Sequence, residues 1–331
     1  MHTIVSSATR TVTIGHDRPF AIIGERINPT SRAKFQRQLR DGDLSRIEID
    51  VAQQVAGGAM LLDVNMGAPL ADEAELMVQA VTLIQRLTDL PLVIDSSIPE
   101  VLEAGLKTYQ GKALVNSVTA EDERLHLILP LVKRYRAAVI GLPNDEEQIP
   151  EAPADRLVLA RKLIRTATDT YQIPIEDIVI DPLAMPVGAD TGNTVRTLET
   201  LALLADEFGV NTTLGASNLS FGMPDRHALT AAFLPLAAAH GLTSAIMDAR
   251  TPQVVTAARA ADLLLGRDDW GAAWIAAYRA AQAAQLSPGG ATPRTPRMSP
   301  GGATPRTPRG TSDEEAIISD VHSTPATPGQ L

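Results

Sequence analysis

Residues 91–118 read PLVIDSSIPEVLEAGLKTYQGKALVNSV, and one complete repeat of the fold lies within them. PLVID (91–95) and KALVN (112–116) are short, near-continuous apolar runs, as expected of strands buried on both faces. Between them Val101, Leu102 and Leu106 recur at helical spacing. A strand, a helix and a second strand of this kind make a parallel βαβ unit. Both strands finish on a polar residue, Asp95 and Asn116, for which a strand interior has no use.

The same alternation extends in both directions. Further strand-like runs stand at FAIIG (20–24), AMLLDV (59–64), AAVIGL (137–142), DIVID (177–181), NTTLG (211–215) and TSAIMD (243–248), which brings the strands to eight. Helical spacing fills the gaps, as in Leu157, Leu163 and Ile164. The fold class expected is α/β, a (β/α)8 TIM barrel over residues 20–265 preceded by an extension over 1–19. A chain of 331 residues with 44% apolar content can bury such a core, since a barrel needs roughly 250 residues.

Beyond the barrel, a C-terminal helix is expected over 266–286. Its Trp270, Trp274 and Tyr278 stand four apart and would share one face, either packed against the barrel or a second subunit or lining a ligand box. The composition then changes. SPGGATPRTPR occurs at 287–297 and again at 299–309, in a stretch too poor in apolar residues to offset chain entropy, so 287–331 reads as a disordered tail.

Composition excludes several classes. The chain has no cysteine, which removes disulfides, thiolate metal sites and a cysteine nucleophile and leaves only oxygen or histidine ligands for any metal; none is expected. The net charge is −10, and because 287–331 is balanced the excess acid lies on the folded part, a surface that repels nucleic acid. The N-terminus lacks the apolar core of a signal peptide, and no apolar stretch approaches the roughly 18 residues of a membrane span. A soluble, cytoplasmic protein is the expectation.

Four strands end on a carboxylate or carboxamide: Asp95, Asn116, Asp181 and, in TTLGASN, Asn218. Asp63 and Asn65 add a second-strand pair, and Glu25, Arg26 and Asn28 cluster after the first strand. Taken singly, each could cap the helix that follows. Together they converge on the rim formed by the C-terminal ends of the strands, where barrels carry their active sites. Carboxylates and amides donate and accept in a plane and suit a flat, nitrogen-rich heterocycle. Neither GxxxxGK[ST] nor GxGxxG occurs, which argues against nucleotides.

In their order, IIGERIN (22–28), LLDVNMG (61–67), LVIDSS (92–97), LVNSV (114–118), VIDPL (179–183) and LGASNLSFGMP (214–224) resemble the pterin-binding domain of the methyltetrahydrofolate:corrinoid methyltransferases, the folate module of cobalamin-dependent methionine synthase included. The resemblance implies a TIM barrel that moves a methyl group, in either direction, between methyltetrahydrofolate and the cobalamin of a separate corrinoid protein. It further implies that Asp95, Asn116 and Asp181 hold the pterin edges and that Asn218 acts on the methyl-bearing nitrogen, with Asp95 a candidate in the proton network. Gly215 and Ser217 would shape the loop presenting Asn218, Arg226 would support it, and Phe221 would stack on or pack against the pterin. Asp63, Asn65 and Asp248 would stand behind these groups, and the chain would be a homodimer. Dihydropteroate synthase is the related alternative. It carries a basic residue in the seventh-strand loop and an Arg–His motif at the eighth strand, where this sequence has GASNLSFG and AIMDAR. A non-catalytic folate-binding scaffold is the third possibility.

Overall fold

The computed structural model describes residues 1–146 and 149–286, with side chains through 283. The disorder expected of 287–331 lies outside those residues. Residues 1–282 form one compact unit.

An antiparallel hairpin, β1 (His2–Ser6) and β2 (Thr11–Gly15), comes first. Barrel strands and helices then alternate: β3 (Ala21–Ile27), α1 (Ala33–Arg40), α2 (Ser45–Gly57), β4 (Leu61–Asn65), α3 (Glu73–Leu87), β5 (Leu92–Asp95), α4 (Pro99–Thr108) and β6 (Leu114–Thr119). The second half continues with α5 (Asp122–Tyr135), β7 (Ala138–Leu142), α6 (Pro153–Arg165), β8 (Ile178–Ile180), α7 (Asn193–Phe208), β9 (Asn211–Thr212), α8 (Arg226–Ala239), β10 (Ser244–Met247), α9 (Pro252–Leu264) and α10 (Ala272–Leu286). The eight strands β3 to β10 are parallel neighbours in the order β10-β3-β4-β5-β6-β7-β8-β9. Closure between β9 and β10 falls just past β9, where Gly215 bridges Ile246 and the Ile246 N–H donates to the Leu214 carbonyl at 2.8 Å. The expected (β/α)8 barrel is therefore the observed one.

Local chemistry sets the helix boundaries. Proline opens α4, α6 and α9, where a missing N–H costs nothing and its fixed φ suits a helix. Asp72 caps α3 by accepting from the Glu75 N–H at 3.0 Å. Asp268 accepts from the N–H groups of Ala273 and Trp274 and starts α10. This start corrects one expectation: Trp270 precedes the helix with φ 57° and is 98% exposed, so it shares no face with Trp274 and Tyr278.

Alternation along the strands divides the apolar residues into two cores. Ile22, Leu62, Val64, Leu92, Ile94, Val115 and Val139 face the helices. Ala21, Ile23, Leu61, Val93, Leu114, Ala138, Ile140 and Val179 face the barrel interior, where Val5, Val12 and Ile14 of the hairpin join them. The extension at 1–19 thus plugs the N-terminal mouth of the barrel. Hydrogen bonds seat it there: Asn211 Nδ2 donates to the Ile14 carbonyl at 3.0 Å, Thr3 Oγ1 to the Glu176 carbonyl at 2.6 Å, and Ser6 and Lys112 exchange backbone bonds at 2.9 Å.

Candidate active site

At the opposite mouth the interior face turns polar, two residues at a time. Along β3 it runs Ala21, Ile23, Glu25; along β4, Leu61, Asp63, Asn65; along β5, Val93, Asp95; along β6, Leu114, Asn116. Asp181 follows Val179 at the end of β8, and Asp248 follows Ile246 at the end of β10. Strand register places Asn65 beside Asp95 and Asp95 beside Asn116.

These groups pair amide with acid. Asn65 Nδ2 donates to Asp95 Oδ2 at 3.0 Å, and Asn116 Nδ2 reaches past β5 to Asp63 Oδ1 at 3.1 Å. Asp63 is buried, so removal from water drives its carboxyl well above the usual range, the neighbouring Asp95 charge adds to this, and the bond from Asn116 opposes it. Burial likewise raises Asp95 to about 6 against the bond from Asn65. It raises Asp181 to about 7, against the Leu183 N–H at 2.8 Å and the nearby Arg156 guanidinium. Helix capping does not explain Asp95: the turn before α4 is held by Ser96 Oγ, which accepts from the Ile98 N–H. Asn65, Asp181 and Asp248 each also accept from the N–H two residues on, the local turn that leads out of a strand.

The far side of the mouth is the loop after β9. Asn218 is exposed, and its side-chain nitrogen lies so near Gly215 that a Cβ there would stand 2.9 Å from it. Glycine is therefore what lets the amide take this position. The loop is braced by the Asn218 N–H to the Gly215 carbonyl at 3.1 Å and the Phe221 N–H to the Asn218 carbonyl at 3.1 Å. Ser217 Oγ contacts Glu25 Oε2 at 3.4 Å, while Arg226 Nη2 donates to the Ser217 carbonyl at 2.7 Å. Phe221 is 64% exposed with the Arg226 guanidinium 5.5 Å over its ring. His227, the second residue of α8, is exposed.

Sequence reasoning placed Glu25 in the cluster after the first strand but gave it no role, and it passed over Gln54 and Arg250. Glu25 faces the interior beside Ser217, with its carboxyl raised by burial and by the Asp248 charge against the pull of Arg26. Gln54 donates to Asp248 Oδ1 at 2.8 Å, and Arg250 donates to both oxygens of the same carboxylate. Burial alone would raise Asp248, but the bonds from Arg250 and Gln54 hold it at about 2. A signal for Gln54 exists: it lies with Asp50 on the apolar stripe of α2 that carries Ile47 and Val51, and both polar residues are fully buried. Among the described residues no group of three or more His, Asp and Glu is placed to hold a metal ion.

Similarity to known proteins points to one family. Residues 24–248 match the pterin binding enzyme family. Methionine synthase of Mycobacterium tuberculosis (strain ATCC 25618 / H37Rv) is 30% identical over an alignment of 258 residues that covers 74% of this chain and 22% of that protein, so this chain corresponds to a minor part of it. The methylcorrinoid:tetrahydrofolate methyltransferase of Eubacterium limosum is 27% identical over 250 residues, covering 75% of this chain and 92% of the relative. Among solved structures, dihydropteroate synthase from Xanthomonas albilineans with 7,8-dihydropteroate superposes with a TM-score of 0.61 at 22% identity, covering 79% of this chain and 98% of that one. The Yersinia pestis dihydropteroate synthase with a pterine-sulfa conjugate gives 0.60 at 17% identity, covering 80% and 99%. Identities this low establish a shared fold and no more.

Proposed function

This chain belongs to the pterin binding enzyme family, and we propose that it moves a methyl group between methyltetrahydrofolate and the cobalamin of a separate corrinoid protein. The carrying observation is the mouth itself: an exposed amide, Asn218, is held against Gly215 beside a rim of buried amide–acid pairs. In this reading Asp95, Asn116 and Asp181 take the edge of the pterin, and Asp63 and Asn65 fix the orientation of Asn116 and Asp95 through the bonds described above. A carboxylate at Asp181 or Asp95 can accept two parallel N–H bonds from an amino-pyrimidinone. Asp248 is locked to Gln54 and Arg250 and shapes the mouth from behind.

Asn218 acts on the nitrogen that carries the methyl group. As the N–CH3 bond breaks, the nitrogen must gain a proton or a strong hydrogen bond, since expelling a bare amine anion is prohibitive. An amide that donates more strongly to the departing nitrogen in the transition state than in the ground state raises turnover. Asn218 is too weak an acid to be the proton's source. Asp95, Asp63 and Glu25, whose carboxyls are all raised by burial, are the groups at the rim through which that proton would pass. The corrinoid supplies the methyl acceptor or donor when its carrier protein docks on this mouth. The Eubacterium limosum relative, whose name describes this reaction, supports the reading along nearly its whole length.

One observation favours a second reading: solved structures that superpose on the barrel include dihydropteroate synthases. That reaction expels a pyrophosphate, and here the loop after β9 offers no basic residue before Arg226, while Arg250 is already spent on Asp248. Incubating the protein with methylcobalamin and tetrahydrofolate, or with reduced cobalamin and methyltetrahydrofolate, and following the cobalamin spectrum separates the two. Methyl transfer is expected, with no dihydropteroate formed from pterin pyrophosphate and p-aminobenzoate. The opposite pattern overturns the proposal.

A further inference from the structure

Beside the mouth lies a cavity of about 920 Å³, walled by the end of α2, the segment from β10 into α9, and α10. Asp248 and Arg250 line it as well as the rim, and so does His227 next to Arg226, so the cavity opens off the mouth rather than standing apart from it. Its size is that of a ligand site. Three features define what it would take.

The first is charge. Asp248 is the one acid on its wall, and Arg250 neutralises it at 2.6 Å. Arg259 makes no ion pair among the described residues. Its guanidinium lies over the C-terminal end of α2, where the helix dipole favours a cation; a Cβ on Gly58 (φ 100°) would come within 2.5 Å of its Nη2. Thus a protein with a net charge of −10 keeps a cation without an acidic partner at the wall of a cavity. The second feature is shape: Trp274 and Tyr278, one helical turn apart on α10, form an aromatic wall, and Ala277 and Ala281 beside them leave room. The third is position, since whatever occupies the cavity adjoins a ligand held at the rim.

A folate consists of a pterin joined to a p-aminobenzoyl ring and then to glutamate, an aromatic segment followed by carboxylates. We propose that this cavity receives that arm, the benzoyl ring against Trp274 and Tyr278 and the carboxylates of γ-linked glutamates toward Arg259, so that the enzyme prefers folates bearing several glutamates. The inference rests on the folate reading of the rim. It makes α10 part of the substrate site and gives Arg259 a counter-ion.

Calorimetric titration of the full chain with tetrahydrofolate carrying one or three glutamates tests it. The triglutamate is expected to bind about tenfold tighter, the worth of one charge-assisted contact. Arg259→Gln is expected to remove that preference and Arg259→Lys to keep most of it. Thr256→Glu, an exposed position on the same wall, should selectively weaken the triglutamate without removing the guanidinium. Equal affinities for the two folates in the unmodified protein, or a preference that survives Arg259→Gln and Thr256→Glu, overturn the inference and leave the methyl-transfer reading standing. Failure of both folates to bind would overturn the two together.

Discussion

The two mouths of the barrel are built from the same eight strands and the same inward-facing positions, yet they are chemical opposites. At the N-terminal mouth the hairpin residues Val5, Val12 and Ile14 close over Ala21, Leu61 and Leu114 in an apolar plug whose few buried polar groups, Thr3 and Asn211, carry no charge. At the C-terminal mouth, two to four residues further along the same strands, the inward positions are Asp63, Asn65, Asp95, Asn116 and Asp181. Burial there raises carboxyls where burial below stabilises the fold. The difference teaches that the barrel divides its labour along its axis: one end contributes cohesion, and the other gives up some of it to hold acids out of water.

The sharpest way to break this contrast is at the plug. Ile14 is fully buried, and Ile14→Ala should cost about 4 kcal/mol of stability through lost transfer energy and a residual cavity, read from denaturant midpoints. Folate affinity of the folded fraction should stay unchanged. Asn218→Ala is the counterpart at the other mouth. It should slow methyl transfer about 100-fold, equivalent to roughly 3 kcal/mol, with little effect on methyltetrahydrofolate affinity and none on the denaturant midpoint. An unchanged single-turnover rate would remove Asn218 from the chemistry.

This division was only partly legible in the sequence. The apolar runs disclosed all eight strands because strands buried on both faces leave an unbroken signature, and their polar last residues disclosed the rim. The hairpin was read as an extension, although HTIVS and TVTIG alternate as strands should, because nothing in a single sequence says which open end of a barrel they cover. Side-chain partnerships were out of reach for a similar reason. That Asn116 bonds Asp63 rather than its in-register neighbour Asp95 follows from the stagger of the strands, and the part of Gln54 and Arg250 in fixing Asp248 depends on how α2 packs beneath β10. The aromatic spacing at Trp270 misled because a capping Asp268 starts the helix two residues later, leaving Trp270 outside it.

The last prediction falls on the residue that tests the contrast most directly. Asp181 is held at about 7 in the folded protein against 3.8 for a carboxyl in water. A carboxyl raised on folding contributes stability that is complete below its unfolded value and lost as pH rises through the folded one. Asp181→Asn removes that loss while its Oδ1 can still accept from the Leu183 N–H. Denaturant unfolding of the two proteins should therefore agree near pH 4 and diverge until the variant is more stable by about 4 kcal/mol at pH 8. The same variant, titrated with tetrahydrofolate at pH 8, should bind about 100-fold more weakly, because an amide offers a donor where the pterin edge needs a second acceptor. A gain in stability together with that loss of binding is the result expected. A variant no more stable at pH 8 than the unmodified protein, binding folate just as tightly, would contradict the account.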